Sequence, residues 1–233
     1  MKNFHWLTFA FIYFLVVSTD TLSADLIFSQ YVETNSGTTP KGVEIWNSGA
    51  SAIDFSITNL QIFQGTNGGN LSALNGTLIN SGSLSSGNVL VIGTTDIGTY
   101  LSGQGLGAVR FVEFGFSFNG NDALQLRLGG TAVDTFGTPN SDPGTAWTAN
   151  GVSTANQNIA LREGILAGNS VGFTDPSTRF LTVSSTPSTL PAGLSGFGIA
   201  PTAVPEPSSI ALLSLVGIGG FALRRLRKGR TGS

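Results

Sequence analysis

Short apolar segments recur along residues 26–163, and Gly, Asn, Ser or Pro residues separate them. Several segments alternate apolar and polar positions. In residues 123–128, Leu124, Leu126 and Leu128 fall on one side, and Gln125 and Arg127 fall on the other. Such alternation is typical of a strand with one buried face. The pattern predicts eight strands: LIFSQYV (26–32), VEIW (43–46), LQIFQ (60–64), NVLVIG (88–93), VRFVEF (109–114), ALQLRL (123–128), AVDTF (132–136) and NIALRE (158–163).

The residues between these segments predict turns. Gly129-Gly130 offers the two positive-φ positions that a tight hairpin needs, so the segments on either side are predicted to pair. Asn119-Gly120 and Asp142-Pro143-Gly144 are further turn signals. Because no helical crossover is predicted, the expected fold class is all-β, an antiparallel sandwich over residues 25–183. The stretches 65–87 and 166–183 receive no element.

The first 24 residues have the pattern of a secretory signal peptide. Lys2 supplies a positive start, residues 7–17 are apolar, and Leu22-Ser23-Ala24 is a small-residue cleavage site. The alternative, an uncleaved anchor, is disfavoured because the apolar stretch is short of the roughly 20 residues that span a membrane. Cleavage is predicted after Ala24.

A second apolar stretch, Ser208 to Leu223, lies near the end of the chain. As a helix it would rise about 24 Å, against a hydrocarbon core of about 30 Å that snorkelling side chains help to match. It is predicted to be a transmembrane helix, and the alternative is a last core helix of the domain. The basic residues after it would keep this end cytoplasmic: Arg224, Arg225, Arg227, Lys228 and Arg230.

Residues 184–203 are rich in Pro, Ser and Gly and carry no charge. This composition is typical of a linker. The tail is therefore predicted to be detachable from the domain.

Composition excludes several kinds of chemistry. The chain has no cysteine, and its one histidine is His5, inside the predicted leader. Thiol nucleophiles, serine–histidine catalysis and zinc sites of the usual kind are therefore not expected in the mature protein. Residues 25–183 hold eleven acidic and five basic residues, which argues against binding to nucleic-acid phosphates.

Val204-Pro205-Glu206-Pro207, followed by the apolar stretch and Arg224-Arg225, resembles the PEP-CTERM sorting signal. That signal occurs in Gram-negative bacteria that make extracellular polysaccharide. The resemblance covers residues 204–230 and assigns Pro205, Glu206 and Pro207 to the sorting motif. It implies processing by an exosortase, a membrane-embedded transpeptidase-like enzyme, which would remove the helix and pass the body to the cell surface or matrix.

The order of the strand segments resembles a lamin-tail domain, which is an immunoglobulin-like sandwich. This sequence departs from the family's pattern at Trp46, where the family has Tyr, and in the stretches 65–87 and 166–183, which receive no element. The resemblance rests on seven pieces in order: 26–32, 43–47, Asp54 with 60–63, 118–126, 133–137, 142–147 and 158–162.

Five carboxylates could act as a catalytic pair: Glu44, Glu113, Asp122, Asp134 and Asp142. Glycoside hydrolysis needs two carboxyl groups roughly 5 to 10 Å apart, and the alternative is that these residues are solvated or cap turns. Calcium at Asn121-Asp122 is an open alternative, but no calcium-loop motif occurs, so no metal site and no cofactor are predicted. GTNGGN (65–70) is interpreted as a loop and not as a phosphate cradle.

Trp46 and Trp147 are interpreted as core aromatics, with an exposed ligand platform as the alternative. Three functions follow. The first is a non-enzymatic exported surface or matrix protein. The second is a carbohydrate- or polymer-binding module, and the third is a hydrolase, an activity that additional catalytic domains carry in the lamin-tail family. The expected partners are an exosortase, the membrane through the tail, and an exopolysaccharide or other surface polymer.

Overall fold

The computed structural model of the protein describes residues 25–35 and 37–201. The predicted signal peptide with its cleavage site at Ala24 lies outside the described residues. So do the sorting motif, the predicted helix at 208–223 and the basic residues after it. Among the described residues, no helix has the length and apolar character needed to cross a membrane.

The protein is mostly β-sheet, as the alternating pattern predicts. Each of the eight predicted strands is present, with ends that differ by at most two residues from the prediction. The described residues also form six further short strands, one α-helix, α1 (Thr95–Gly103), and four short 3-10 helices at Thr66–Gly68, Asn75–Thr77, Pro176–Thr178 and Ala192–Leu194. The strands are β1 (Leu26–Val32), β2 (Gly42–Asn47), β3 (Ile53–Asp54), β4 (Leu60–Gly65), β5 (Ser72–Ala73), β6 (Ser83–Leu84), β7 (Val89–Gly93), β8 (Arg110–Glu113), β9 (Ala123–Leu128), β10 (Thr131–Phe136), β11 (Thr148–Ala149), β12 (Val152–Ser153), β13 (Asn158–Leu161) and β14 (Phe180–Ser184).

The two main sheets have six and four strands. The six-stranded sheet has the order β14-β13-β1-β2-β7-β8, and the four-stranded sheet has the order β10-β9-β4-β5. Gly129 and Gly130 form the predicted β9–β10 hairpin with φ values of 57° and 82°, a conformation that L side chains resist. The unassigned stretches supply β5, β6 and most of β14.

One connection differs from the predicted antiparallel arrangement. Strands β7 and β8 pair in parallel, and α1 lies between them in the chain. Parallel neighbours require such a crossover, because the chain has to return to the same end of the sheet. The helix buries Ile97 and Leu101, four residues apart and so on one face. The expectation of no helical crossover is wrong at this point.

The main core lies between the two sheets. Phe28, Ile45 and Leu90 of the large sheet and Ile62 and Leu126 of the small sheet belong to one apolar cluster. Within it, the Tyr31 ring stacks between Phe118, at 4.9 Å between centroids, and Phe136, at 4.2 Å. Aromatic stacking thus joins β1 of the large sheet to β10 of the small sheet.

The large sheet is also covered on its other face. Directly opposite residues of antiparallel strands share a face, and the register pairs Gln30 with Glu44 and Val32 with Asn158. These side chains are buried under α1 and under residues 192–200, which we call the C-terminal strap. A second apolar cluster contains Leu194 and Phe197 of the strap together with Val32 of β1 and Ile97 and Leu101 of α1.

The strap corrects the prediction that residues 184–203 are a free linker. Ser184 ends β14, while Leu194 and Phe197 have no exposed surface. The segment has the composition of a linker, but two of its large apolar side chains pack against the outer face of the large sheet and against α1. Burial of such side chains stabilises the folded state and fixes the segment in place.

Candidate functional site

The two tryptophans considered as ligand contacts are both buried. Trp46 is 2 % exposed and Trp147 is 4 % exposed. Trp147 packs edge-on to Phe173 and lies against Gly137, where an added Cβ would approach its ring to 2.6 Å. Neither ring presents a face to solvent in this structure, so both act as core residues and not as the exposed platform considered above.

Asp134 joins the two sheets. Its carboxylate accepts hydrogen bonds from the backbone N–H of Phe28 at 2.9 Å and of Asn169 at 2.7 Å, and it pairs with Arg179 at 3.0 Å. Burial raises the pKa of the Asp134 carboxyl, and the Arg179 charge opposes that rise. Asp134 thereby attaches β10 of the small sheet to β1 of the large sheet, so these contacts give it a structural role.

Asp122 and Asp142 hold three loops together. Asp122 accepts hydrogen bonds from the Gln64 side chain at 2.9 Å and from Asn67 N–H at 2.8 Å. Asp142 accepts from Gly144 N–H at 2.8 Å and from the Asn121 side chain at 3.1 Å. The loop GTNGGN therefore meets the two loops that carry part of the lamin-tail resemblance.

The same region contains the Asn121-Asp122 pair considered for calcium. In residues 25–35 and 37–201, no group of three His, Cys, Asp or Glu side chains is arranged to hold a metal ion. The side-chain oxygens of Gln64 and Asn121 are buried without a hydrogen-bond partner among these residues. The carboxylate oxygens of Asp122 are both occupied by protein donors, as a loop-fastening role requires.

Glu33 and Lys41 form a buried ion pair near the end of β1. The Lys41 ammonium also donates to the carbonyl oxygens of Thr34 and Phe118, while Glu33 accepts from Asn156 N–H at 2.7 Å. Burial raises the pKa of Glu33, although its bond to Lys41 opposes the rise. Each charge is satisfied by several protein groups, so the pair fastens neighbouring loops.

Glu44, like Asp134, is a candidate carboxylate whose pKa is raised by burial. It lies on β2, 1 % exposed, and accepts hydrogen bonds from the Ser29 hydroxyl at 2.7 Å and from Gly198 N–H at 2.6 Å. Burial raises its pKa to about 8. Glu44 is therefore largely a neutral acid at pH 7, and it attaches the sheet to the strap. Glu113, in contrast, is exposed and accepts a hydrogen bond from Thr95 at 2.7 Å.

Two amide side chains complete the attachment of the strap. Gln30 donates to the carbonyl oxygen of Ser195 and to the Asn158 side chain, both at 2.7 Å. Asn158 in turn donates to the carbonyl oxygens of Gly193 and Ser195, both at 3.0 Å. The partners of Asn158 in the strap lie 35 and 37 residues away, and the partners of Gln30 lie 128 and 165 residues away, so local sequence patterns give no signal of the network.

The strap leads directly into the C-terminal segment. Residues 203–228 match the model of the PEP-CTERM protein-sorting motif. The chain carries an exosortase sorting signal. Comparison with curated proteins and with solved structures gave no match. The motif implies export to the cell envelope or surface and processing by an exosortase, and it begins two residues after Pro201, the last residue of the described domain.

Proposed function

We propose that this chain is a non-enzymatic surface or extracellular-matrix protein of an exopolysaccharide-producing Gram-negative bacterium. Its β domain would be lamin-tail-like and delivered through the PEP-CTERM signal. The observation that carries the proposal is the position of the matched motif, which begins immediately after the strap. A cut within the matched segment leaves Leu194, Phe197 and Gly198 on the domain, with all of their contacts to the sheet.

The lamin-tail part of the proposal is supported by where the resembling segments lie. They include β1, β2, the β9–β10 hairpin and β13, which belong to the two main sheets. Asp134, from the resembling hairpin, makes the bond between the sheets. The proposal is thus that the resembling residues maintain an immunoglobulin-like arrangement of the strands.

The non-enzymatic part is supported by the environments of the carboxylates. Asp122, Asp134 and Glu44 are each nearly fully buried and hydrogen bonded to backbone or side-chain donors. A hydrolase would need two carboxyl groups that reach a substrate across a cleft. Structural use of these residues therefore favours the surface-protein function over the hydrolase alternative.

The membrane part follows from the sequence of the tail. Residues 208–223 would anchor the exported domain transiently, with the basic cluster from Arg224 to Arg230 retained on the cytoplasmic side. Exosortase processing would then release the domain to the surface or matrix.

The test is replacement of Pro205, Glu206 and Pro207 by alanine in the producing cell. We expect the variant to remain in the inner membrane with its tail intact, because the processing enzyme no longer recognises the signal. Cell fractionation, with mass spectrometry of the C-terminal peptide, measures location and cleavage together. The control replaces Gly232 and Ser233 by alanine, outside the matched residues, and should be processed like the unmodified chain. Normal release of the triple variant would refute the sorting role.

A further inference from the structure

The outer face of the four-stranded sheet holds an open cavity of about 490 Å³. Strand β4 contributes Gln61 and Phe63, and β9 contributes Arg127. The rim is formed by Asn59, Asn80, Ile57 and the glycine hairpin. The space that a Cβ of Gly130 would occupy is open, with no atom within 4 Å.

Arg127 is held in a fixed orientation within this cavity. Its guanidinium carbon lies 4.0 Å from the centroid of the Phe63 ring, and its Nε donates to the Gln125 side chain at 2.7 Å. The terminal nitrogens make no hydrogen bond or ion pair with any described residue. Stacking and the Nε bond reduce the freedom of the side chain, so its two terminal nitrogens present a planar pair of donors.

Three amide side chains line the same cavity as the guanidinium. Gln61 lies directly opposite Arg127 in the strand register, and Asn59 and Asn80 are exposed at the rim. None of these three side chains makes a hydrogen bond to another described residue. Ile57, at the same rim, is 83 % exposed, the largest value among the large hydrophobic residues described.

We propose that this cavity binds a segment of a carboxylated polysaccharide. The carboxylate of one uronate unit pairs with the terminal nitrogens of Arg127, and neighbouring hydroxyls bond to Gln61, Asn59 and Asn80. Ile57 contacts the apolar face of a sugar ring. The inference rests on the proposed function, since export places the domain where such polymers occur.

The lining favours this ligand over an acidic peptide or a nucleic acid. One cation surrounded by neutral amides suits isolated carboxylates among many hydroxyls. Nucleic acids are bound through several basic residues along the backbone, whereas the lining of this cavity includes one, Arg127. The acidic excess of the domain opposes every polyanion at long range, a polyuronate included. Retention of a polyuronate would therefore report the local site and not a general attraction.

The experiment measures binding of the full-length chain, purified in mild detergent, to two polymers with the same backbone. Polygalacturonate carries the carboxylate, and fully methyl-esterified polygalacturonate does not. We expect the chain to bind the first and to bind the second at least tenfold more weakly. The variant Arg127→Gln should lose between about tenfold and a hundredfold in affinity for polygalacturonate, the effect of losing hydrogen bonds to a charged group.

The matched control is Arg162→Gln, which removes the same charge at a position outside the cavity lining. Arg162 directly follows β13 of the six-stranded sheet. It should bind polygalacturonate like the unmodified chain. Equal losses in both arginine variants, equal binding of the two polymers, or no binding of polygalacturonate would each overturn the proposal. Binding of poly-glutamate as tight as that of polygalacturonate, with the same dependence on Arg127, would overturn it in favour of an acidic peptide.

Two further variants keep the test meaningful if Arg127→Gln does not fold. Asn80→Ala removes an exposed rim amide and should weaken binding by a few fold. Arg127→Lys keeps the charge but loses the planar fork, so it should bind more weakly than the unmodified chain. These measurements use purified chain, and their outcome is therefore independent of whether the sorting signal is cleaved in cells.

Discussion

The outer faces of the two main sheets carry similar polar residues, but one face is covered by the strap and the other is open. On the large sheet, Gln30, Glu44 and Asn158 are nearly fully buried beneath the strap. On the small sheet, Gln61 and Arg127 border an open cavity. A polar side chain in a strand therefore does not mean an exposed face, because a later segment of the chain can cover it and supply its hydrogen-bond partners.

Polar side chains on the covered face stabilise the fold, whereas those on the open face are available to bind a ligand. The amide of Gln30 is occupied by Ser195 and Asn158, whereas the amide of Gln61 has no partner among the described residues. Buried polar groups must be paired within the protein, so the first amide contributes to folding. The second remains free to bind a ligand.

The largest expected effect is on the covered face. Replacement of Phe197 by alanine should lower the free energy of unfolding by about 3–5 kcal/mol, because it leaves a cavity between the strap and α1. Urea unfolding followed by tryptophan fluorescence measures this change. Ile199→Ala is the control in the same strap, since Ile199 is 61 % exposed. It should change stability by no more than about 0.5 kcal/mol. Equal effects of the two substitutions would show that the strap is not packed.

The next effect concerns the pH dependence set by Glu44. Its pKa in the folded protein, about 8, exceeds the ordinary value of 4.5 because of burial. Its contribution to stability is therefore fully present below about pH 4.5 and is lost as the pH rises through 8. Each pKa unit is worth about 1.4 kcal/mol. Between pH 5 and pH 9 the expected loss is therefore about 3–4 kcal/mol.

Glu44→Gln should remove the part of this dependence that Glu44 contributes and leave the part that comes from Glu33 and Asp134, whose pKa values burial also raises. The glutamine side chain accepts from Gly198 and donates to the Ser29 hydroxyl without carrying a charge. Urea unfolding at several pH values compares the two chains. Tyr100 interacts electrostatically with Glu44, but burial raises the pKa of Tyr100 above its ordinary value of 10, so it titrates above this pH range. An unchanged slope in the variant would contradict the role assigned to Glu44.

The smallest effects are expected when a glutamine is replaced by alanine, once on the covered face and once on the open face. Gln30→Ala should cost about 1–3 kcal/mol, because Asn158 and Ser195 lose a buried partner. Gln61→Ala removes the same side chain from the open face and should cost less than about 0.5 kcal/mol. Thermal unfolding of both variants measures the difference. If Gln61→Ala proved as costly as Gln30→Ala, the open face would have to be covered in solution.

The strands were predictable because their pattern is local. Alternation in residues 123–128 and the glycine pair after them define β9 and its hairpin without reference to the rest of the chain. The sequence pattern does not predict the helix α1. It has nine residues, with Gly98 and Thr residues of low helix propensity, and it is held by packing against β8.

The candidate sites were predictable only in part. Glu44, Asp122 and Asp134 could be singled out as carboxylates, but their partners Gly198, Asn67 and Phe28 are 55 to 154 residues away. Trp46 and Trp147 are core residues, as interpreted from the sequence, but only the structure decides this against the alternative of an exposed platform. The cavity at Arg127 depends on the register of β4 against β9, which brings Gln61 opposite it.

The sequence by itself determined that the chain is a β protein and that it carries a sorting signal, because both depend on patterns of residues that are neighbours in the chain. Only the tertiary structure decided that the segment before the signal belongs to the domain, and which sheet face remains open. Those outcomes depend on contacts between residues far apart in the chain, where burial of Leu194 and Phe197 outweighs a composition that otherwise favours a free linker.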